Sequence, residues 1–465
     1  MMTAILLATA ALLLHLAGAV AALHALMRTR TAPGAVAWVL GLLLLPYVTL
    51  VPYLFLGRTH FVGYADRRDG PRMPGDAGAA HPAMPEVHAR FAAIVNMLGT
   101  RFHAGQAVRL LVDGGQAFPA MLEAIATAEH YVLVQFFIFH DDDVGRAFQR
   151  ALLERAAAGV TVCMLYDGVG CHDLPRGYVA ALRAGGVTVH SFATRAWSNR
   201  LQVNFRNHRK IVVVDGWRGF VGGLNVGDEY LGRKPPLAPW RDTHLEIRGA
   251  AVADIERSFC EDWRWITHAD LPPRQLPAYP ASGAADVLIA ATGPADRQES
   301  ASLFFVELIR SARRRLWLTT PYFVPDQAVG AALRLAVFRG VDVRILLPSR
   351  PDHHAVFLSS TLHAFIAVRA GLRVFRYQPG FMHQKVVLVD DDTTAIGSMN
   401  LDSRSFRLNF EVAALTLDRG LTDEVAAMLE SDFARAREVG EEEYLGAPLW
   451  RRLLMHVARL FDPML

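Results

Sequence analysis

From Met1 to Met27 the chain carries no Asp, Glu, Lys or Arg, and after Arg28 and Arg30 the same holds from Thr31 to Gly57. At ~1.5 Å rise per residue each run reaches about 40 Å, enough for a ~30 Å hydrocarbon core with some tilt. The pattern predicts two spanning helices, at about 4–27 and 33–56. Pro33 and Gly34 open the second, and Trp38, Tyr47 and Tyr53 serve as interfacial anchors. A cleaved signal peptide is the competing reading of residues 1–27, with Ala17 to Ala19 as the cleavage site. The missing basic start, the length of the run and the second run behind it weigh against that. Arg58, Arg67, Arg68 and Arg72 outnumber Arg28 and Arg30, so the positive-inside rule puts the rest of the chain in the cytoplasm. Asp66 to Pro85, rich in Pro, Gly, Ala and charge, reads as a linker.

Beyond the linker the pattern occurs twice. A helical run, Leu122 to Glu129, precedes a buried-strand run, Tyr131 to Phe139. An acidic turn follows at Asp141 to Asp143, then a helix from Val144 to Gly159 and a strand, Val160 to Tyr166. The second copy has a helix ending at Arg314, a strand Leu316 to Tyr322 and a turn at Pro325 and Asp326. A helix from Ala328 to Gly340 and a strand Val341 to Leu347 complete it. Alternation at these lengths predicts βαβ units, mostly parallel sheets and an internal duplication. The turn aspartates could ligate a metal, but acids at a helix N-terminus favour the macrodipole, the simpler reading.

Composition narrows the class. Of 465 residues, 52% are hydrophobic and 20% charged, which excludes a disordered chain or a basic nucleic-acid tail. Mean hydropathy is +0.20, in keeping with a part that lives in lipid. A net charge of +3 argues for no polyanionic partner by itself. Lys210, Lys234 and Lys385 are the only lysines, so each invites a reason. Cys163, Cys171 and Cys260 fit neither a disulfide framework nor a zinc site.

Two of those lysines lie in a duplicated motif. Asn207-His208-Arg209-Lys210 leads through Ile211 to Val214 into Asp215, then Gly222-Gly223-Leu224-Asn225. Met382-His383-Gln384-Lys385 leads through Val386 to Val389 into Asp390, then Gly397-Ser398-Met399-Asn400. The aliphatic runs predict strands, on which residues i and i+2 share a face, so His208 stands beside Lys210 and His383 beside Lys385. An imidazole next to an ammonium packs poorly but suits a phosphate, and Asn225 and Asn400 add amide donors. Asp215 and Asp390 end their strands before turns, where they brace the motif.

These motifs resemble the phospholipase D superfamily, whose signature is His-x-Lys-x4-Asp followed by Gly-Ser-x-Asn, in two copies. Segments such as Tyr166-Asp167-Gly168-Val169-Gly170, Trp240-Arg241-Asp242-Thr243-His244, Thr320-Pro321-Tyr322-Phe323 and Leu408-Asn409-Phe410-Glu411 are similar to bacterial cardiolipin synthases. Gly223, where the second copy has Ser398, departs from the signature and implies one hydroxyl contact fewer in the first site. The resemblance implies an α/β fold: a two-helix transmembrane hairpin (1–62), a linker (63–100) and two duplicated α/β/α domains related by a pseudo-twofold. The first domain would span 101–275 with its motif at 202–229, the second 285–465 with its motif at 377–404.

The resemblance further implies a catalytic set of His208, Lys210, Asp215, His383, Lys385 and Asp390. One histidine, expected to be His208, attacks phosphorus while the other protonates the leaving alkoxide. Asn225 and Asn400 bind the phosphate with the lysines, in place of a metal, and no cofactor is needed. Asp242 and Glu411, on the strands after each motif, are the candidates for orienting the histidines; surface salt bridging is their other reading. The implied partners are phosphatidylglycerol and other anionic phospholipids of a bacterial inner membrane, and the implied reaction turns two molecules of phosphatidylglycerol into cardiolipin and free glycerol. Hydrolysis of phosphatidyl lipids, a nuclease, and a lipid-binding scaffold with a dead site remain alternatives. The stretch Trp450 to Phe461 is amphipathic and arginine-bearing, the pattern of a surface-lying helix.

Overall fold

The computed structural model describes residues 1–29, 32–57, 61, 64, 85–192, 204–271 and 283–464. The arginines expected to set orientation after the second apolar run, and nearly all of the expected linker, lie outside the described residues.

Helix Met2–Arg28 has 27 residues and is long and apolar enough to cross a membrane. The second apolar run is not the single helix expected at 33–56. It breaks at Leu45 into Ala32–Leu44 and Pro46–Leu56. Pro46 has no N–H to continue the ladder, so the chain ends one helix and starts another. The second piece folds back on the first. Gly41 meets Thr49, whose hydroxyl donates to the Gly41 carbonyl at 2.8 Å, and the Trp38 and Tyr53 rings lie 5.1 Å apart. In a continuous helix those two rings would be ~22 Å apart, fifteen residues at ~1.5 Å each. Tyr53 Oη lies 2.6 Å from His24 Nδ1, one turn before Arg28, so the chain leaves this hairpin at the end where it entered. Gly18 permits the close approach of Leu42 and Pro46 to the first helix, since a Cβ there would stand 2.4 Å from the Leu42 carbonyl oxygen.

The remaining described residues form two copies of one sheet. In the first, strands run in the order His103–Val112, Thr243–Arg248, Arg218–Gly222, Ile211–Val214, Tyr131–Phe136, Thr161–Tyr166, Thr188–Ser191. In the second the order is Ala285–Thr292, Asn409–Leu417, Thr393–Gly397, Val386–Val389, Arg315–Thr319, Asp342–Pro348, Arg373–Tyr377, with Ala436–Val439 at the edge. The leading strands pair antiparallel, His103 opposite Val287, and join both copies into one sheet, whose sixteenth strand is Arg206–Asn207 beside Asn409–Leu417. The motif strands Ile211–Val214 and Val386–Val389 are aliphatic at every position because both of their faces are buried. Helices Val252–Thr267 and Arg419–Ala434 pack between the copies, where Ile255, Phe259, Val425 and Leu429 share one core with Ile211 and Leu388. The turn aspartates cap helices: Asp142 accepts from Gly145 N–H and Asp326 from Val329 N–H.

Candidate active site

The residues just ahead of each motif strand pair with the opposite copy. Arg206–Asn207 runs parallel to Asn409–Phe410, and Phe381–Met382 runs parallel to Trp240–Arg241. The next backbone contacts continue the pairing: His208 N–H donates to Phe410 O at 2.9 Å and His383 N–H to Arg241 O at 2.8 Å. Each histidine therefore lies beside a carboxylate supplied by the other half. His208 Nδ1 lies 3.0 and 3.1 Å from the oxygens of Glu411, and His383 Nδ1 lies 2.7 Å from Asp242 Oδ2. Both carboxylates are 0% exposed, so the surface-bridge reading of them fails. A carboxylate on Nδ1 holds the proton there and leaves Nε2 with its lone pair.

Glu411 is held by more donors than Asp242. It accepts from Ser398 Oγ at 2.5 Å, Ser405 Oγ at 2.9 Å and Asn409 Nδ2 at 3.1 Å. Asp242 accepts from Thr243 N–H at 2.8 Å and, at 3.4 Å, from Trp240 Nε1. The hydroxyl expected to be missing from the first site thus concerns the second histidine's carboxylate. It is missing for a steric reason: a Cβ on Gly223 would stand 2.0 Å from Asp242 Oδ1.

Both lysines are buried. Lys210 Nζ donates to the His208 carbonyl at 2.7 Å. Lys385 Nζ donates to the His383 carbonyl and lies 2.9 and 3.0 Å from the two ring nitrogens of His383. Burial drives Lys210 well below the usual lysine range and Lys385 down to about 8, against the pull of nearby carboxylates. Burial likewise pushes His208 down to about 4, and burial with the Lys385 charge lowers His383. Desolvation alone would raise Glu411 and Asp242, but His208 and Lys210 around the one and Lys385 and His383 around the other hold both carboxyls below their ordinary values. The centre is two neutral imidazoles backed by two carboxylates, with two buried lysines whose ammonium form an incoming anion would stabilise.

Not every expected residue joins this cluster. Asp215 accepts from the backbone N–H groups of Glu129, His130 and Tyr131, and Asp390 from those of Arg313, Arg314 and Arg315. Each sits at the far end of its strand, about 20 Å along the chain from its histidine at ~3.3 Å per residue. Both take φ near +50°, which aspartate tolerates, and both clamp the preceding strand. They belong with the scaffold, and counting them as catalytic is corrected on that ground. Asn225 donates to Tyr230 Oη at 3.2 Å and accepts from Ile138 N–H; Asn400 is buried, its Oδ1 without a partner among the described residues.

The sequence profile described as "Cardiolipin synthase, PLD-like domain" matches residues 121–263 and 305–436, and one described as "Phospholipase_D-nuclease N-terminal" matches 17–58. The chain is 55% identical to a protein named cardiolipin synthase A from Pseudomonas fluorescens, over 97% of each chain. It is 55% identical to the protein of that name from Pseudomonas aeruginosa, over 96% of this chain and 94% of the other. The chain belongs to the phospholipase D-like cardiolipin synthase family. A crystal structure of phosphatidylserine synthase from Haemophilus influenzae shares the fold, with a TM-score of 0.64 at 18% identity over 81% of this chain and all of the other.

Two aspartates escaped the sequence reading. Asp262, on Val252–Thr267, accepts from Arg209 Nη1 at 2.9 Å and from Asn207 Nδ2, Gln135 Nε2 and Tyr64 Oη, each at 2.7 Å. Asp432, on Arg419–Ala434, accepts from Arg241 and, at 2.9 Å, from Gln384 Nε2. Each thus grips the residue between the histidine and lysine of one motif. Within the family motif these are the variable positions, Arg209 and Gln384. A signal was available: Phe259-x-x-Asp262-Trp263 and Leu429-x-x-Asp432-Phe433 each set an acid inside an apolar helical stripe. Tyr64 also ties the chain beyond the N-terminal helices to this centre, packing with Phe61, Trp265 and Phe410.

Proposed function

We propose that the protein is a cardiolipin synthase, moving the phosphatidyl group of one phosphatidylglycerol onto the free glycerol hydroxyl of another and releasing glycerol. The observation that carries this reading is the crossed pairing of His208 with Glu411 and His383 with Asp242. Two histidines oriented alike from two halves suit an attacking group on one side of a phosphodiester and a proton donor on the other. The 55%-identical relatives of that name support the substrate.

His208 is the nucleophile. Its Nε2 has no hydrogen-bond partner among the described residues, and burial keeps the ring unprotonated at neutral pH. His383 handles the proton, because the Lys385 ammonium 3.0 Å from its Nε2 engages that lone pair. Nε2 of His208 bonds phosphorus as the P–O bond to glycerol breaks, and His383 protonates the leaving alkoxide. The negative phosphodiester favours the imidazolium that Asp242 stabilises. The hydroxyl of the second lipid then gives its proton to His383 and attacks phosphorus, releasing His208 and cardiolipin. Lys210, Lys385, Asn225 and Asn400 hold the phosphoryl oxygens.

Helix Met2–Arg28 anchors the enzyme in the inner membrane, with the catalytic halves on the cytoplasmic face. Because the second apolar run folds back, Tyr53 returns beside His24, one turn before Arg28, an arginine that the positive-inside rule places on the cytoplasmic side. Purified protein with phosphatidylglycerol vesicles is the test. Glycerol and cardiolipin should appear in equal amounts, and a product dominated by phosphatidic acid at every lipid density would make the enzyme a hydrolase.

A further inference from the structure

We infer that the C-terminal helix Leu449–Arg459 is a second membrane contact, lying in the surface of an anionic bilayer and holding the mouth of the active site at headgroup level. One side of this helix is fixed to the protein. Met455 is buried with Leu362 and Ala447, and Ala458 is buried one turn on. Asp462 accepts from Ser359 Oγ at 2.5 Å and meets His363 Nε2 at 2.7 Å. Tyr444 stacks on Phe365 and contacts His456 Nε2 at 2.9 Å.

The opposite side is apolar and open. Leu449, Trp450, Leu453, Leu454, Leu460 and Phe461 are all exposed, Leu449 at 82% and Leu460 at 76%. They recur at helical spacing, one stripe along two to three turns. Outside the N-terminal helices no other stretch of described residues exposes large apolar side chains so densely, and a soluble surface rarely carries such a stripe. Arg451, Arg452 and Arg459 flank it, and the acid of this segment, Asp462, is already paired with His363. Apolar side chains flanked by arginine fit lipid chains below and phosphate heads beside them. The membrane helix Met2–Arg28 on the same chain keeps a bilayer within reach.

The supporting helix gives the contact its purpose. His354–Arg369 begins directly after Asp352, which accepts the Tyr322 hydroxyl and whose charge acts on Lys385. Ser359, the anchor for Asp462, is five residues into that helix, about 8 Å from its start. The end of the apolar stripe at Leu460 and Phe461 is thus the end nearer the catalytic lysine.

Full-length protein is reconstituted in phosphatidylcholine vesicles with and without phosphatidylglycerol, carrying Leu453→Cys labelled with an environment-sensitive dye. The unsubstituted chain supplies the background from Cys260. Lipids brominated near the headgroup should quench the dye, more strongly with phosphatidylglycerol present. In a second arm, Leu453→Glu with Leu460→Glu should lower cardiolipin formation from vesicles at least about fivefold. Turnover of dispersed short-chain phosphatidylglycerol should stay within about twofold, since the site itself is untouched. An unquenched dye, or a disulfide between two copies of Leu453→Cys, would overturn the contact, the latter by giving the face to a second protein. Equal loss on both substrates would also overturn it. None of these results touches the transfer chemistry, which the glycerol-to-cardiolipin ratio tests separately.

Discussion

Replacing Gly223 by serine restores the superfamily signature and should nevertheless damage the enzyme. A Cβ at 223 would stand 2.0 Å from Asp242 Oδ1 and 2.8 Å from its Cγ. Comfortable contact needs about 3.5 Å, so the carboxylate must retreat by more than ~1 Å. Asp242 cannot do that and keep both the 2.7 Å contact to His383 and the 2.8 Å bond from Thr243 N–H. A ~1 Å error at a catalytic group costs about 10²-fold in rate. Overpacking adds about 1–3 kcal/mol of instability. The second copy supplies the repair: there Ser398 coexists with the longer Glu411 and donates to it at 2.5 Å. Gly223→Ser combined with Asp242→Glu should therefore recover much of what Gly223→Ser loses. The assay is kcat for cardiolipin formation from phosphatidylglycerol micelles, with the melting temperature recorded alongside. A Gly223→Ser enzyme at the wild-type rate, or a double variant worse than the single, would refute the steric argument.

Further outcomes follow from the same geometry. Lys385 titrates near 8 in the free site, and anion binding needs its ammonium form. The affinity for inorganic phosphate, measured by calorimetry, should hold below that pH and fall by up to about tenfold per unit above it. Asp262→Ala leaves the Arg209 guanidinium buried and unpaired, so denaturant titration should show about 3–5 kcal/mol of lost stability. A reporter active only outside the cytoplasm should respond when fused ahead of Met2–Arg28 and stay silent at the C-terminus; both ends on the same side would exclude the re-entrant hairpin, and the reverse pattern would invert the orientation. Activity in excess EDTA should be undiminished, because the buried lysines supply the charge.

The repeat was legible because strands and lysines recur at fixed spacings: the motif strands lie where Val212 to Val214 and Val386 to Val389 predicted them. The histidine–carboxylate partnership was half legible. Asp242 and Glu411 were candidates through the family resemblance, as acids on the strands after each motif, but their exchange between halves depends on strand pairs only two residues long, Arg206–Asn207 and Phe381–Met382. No periodicity survives in two residues. The hairpin was misread because hydropathy counts apolar residues and ignores direction; Pro46 and the Gly41–Thr49 contact turn the chain without adding a charge. Asp262 and Asp432 went unread although each is an acid on an apolar stripe, and what they hold became evident only once Arg209 and Gln384 were placed in three dimensions.

The central claim is a phosphatidyl group carried on one histidine while the other moves protons. His383→Ala should be unable to release glycerol, but a donor such as phosphatidyl-p-nitrophenol leaves without protonation. Mixing that donor with His383→Ala, denaturing the protein in detergent at neutral pH, where the P–N bond persists, and digesting it tests the claim most directly. The account predicts a stoichiometric burst of p-nitrophenol and a phosphatidyl adduct on the peptide carrying His208, absent from His208→Ala. No burst, or an adduct on any residue other than a motif histidine, would contradict it.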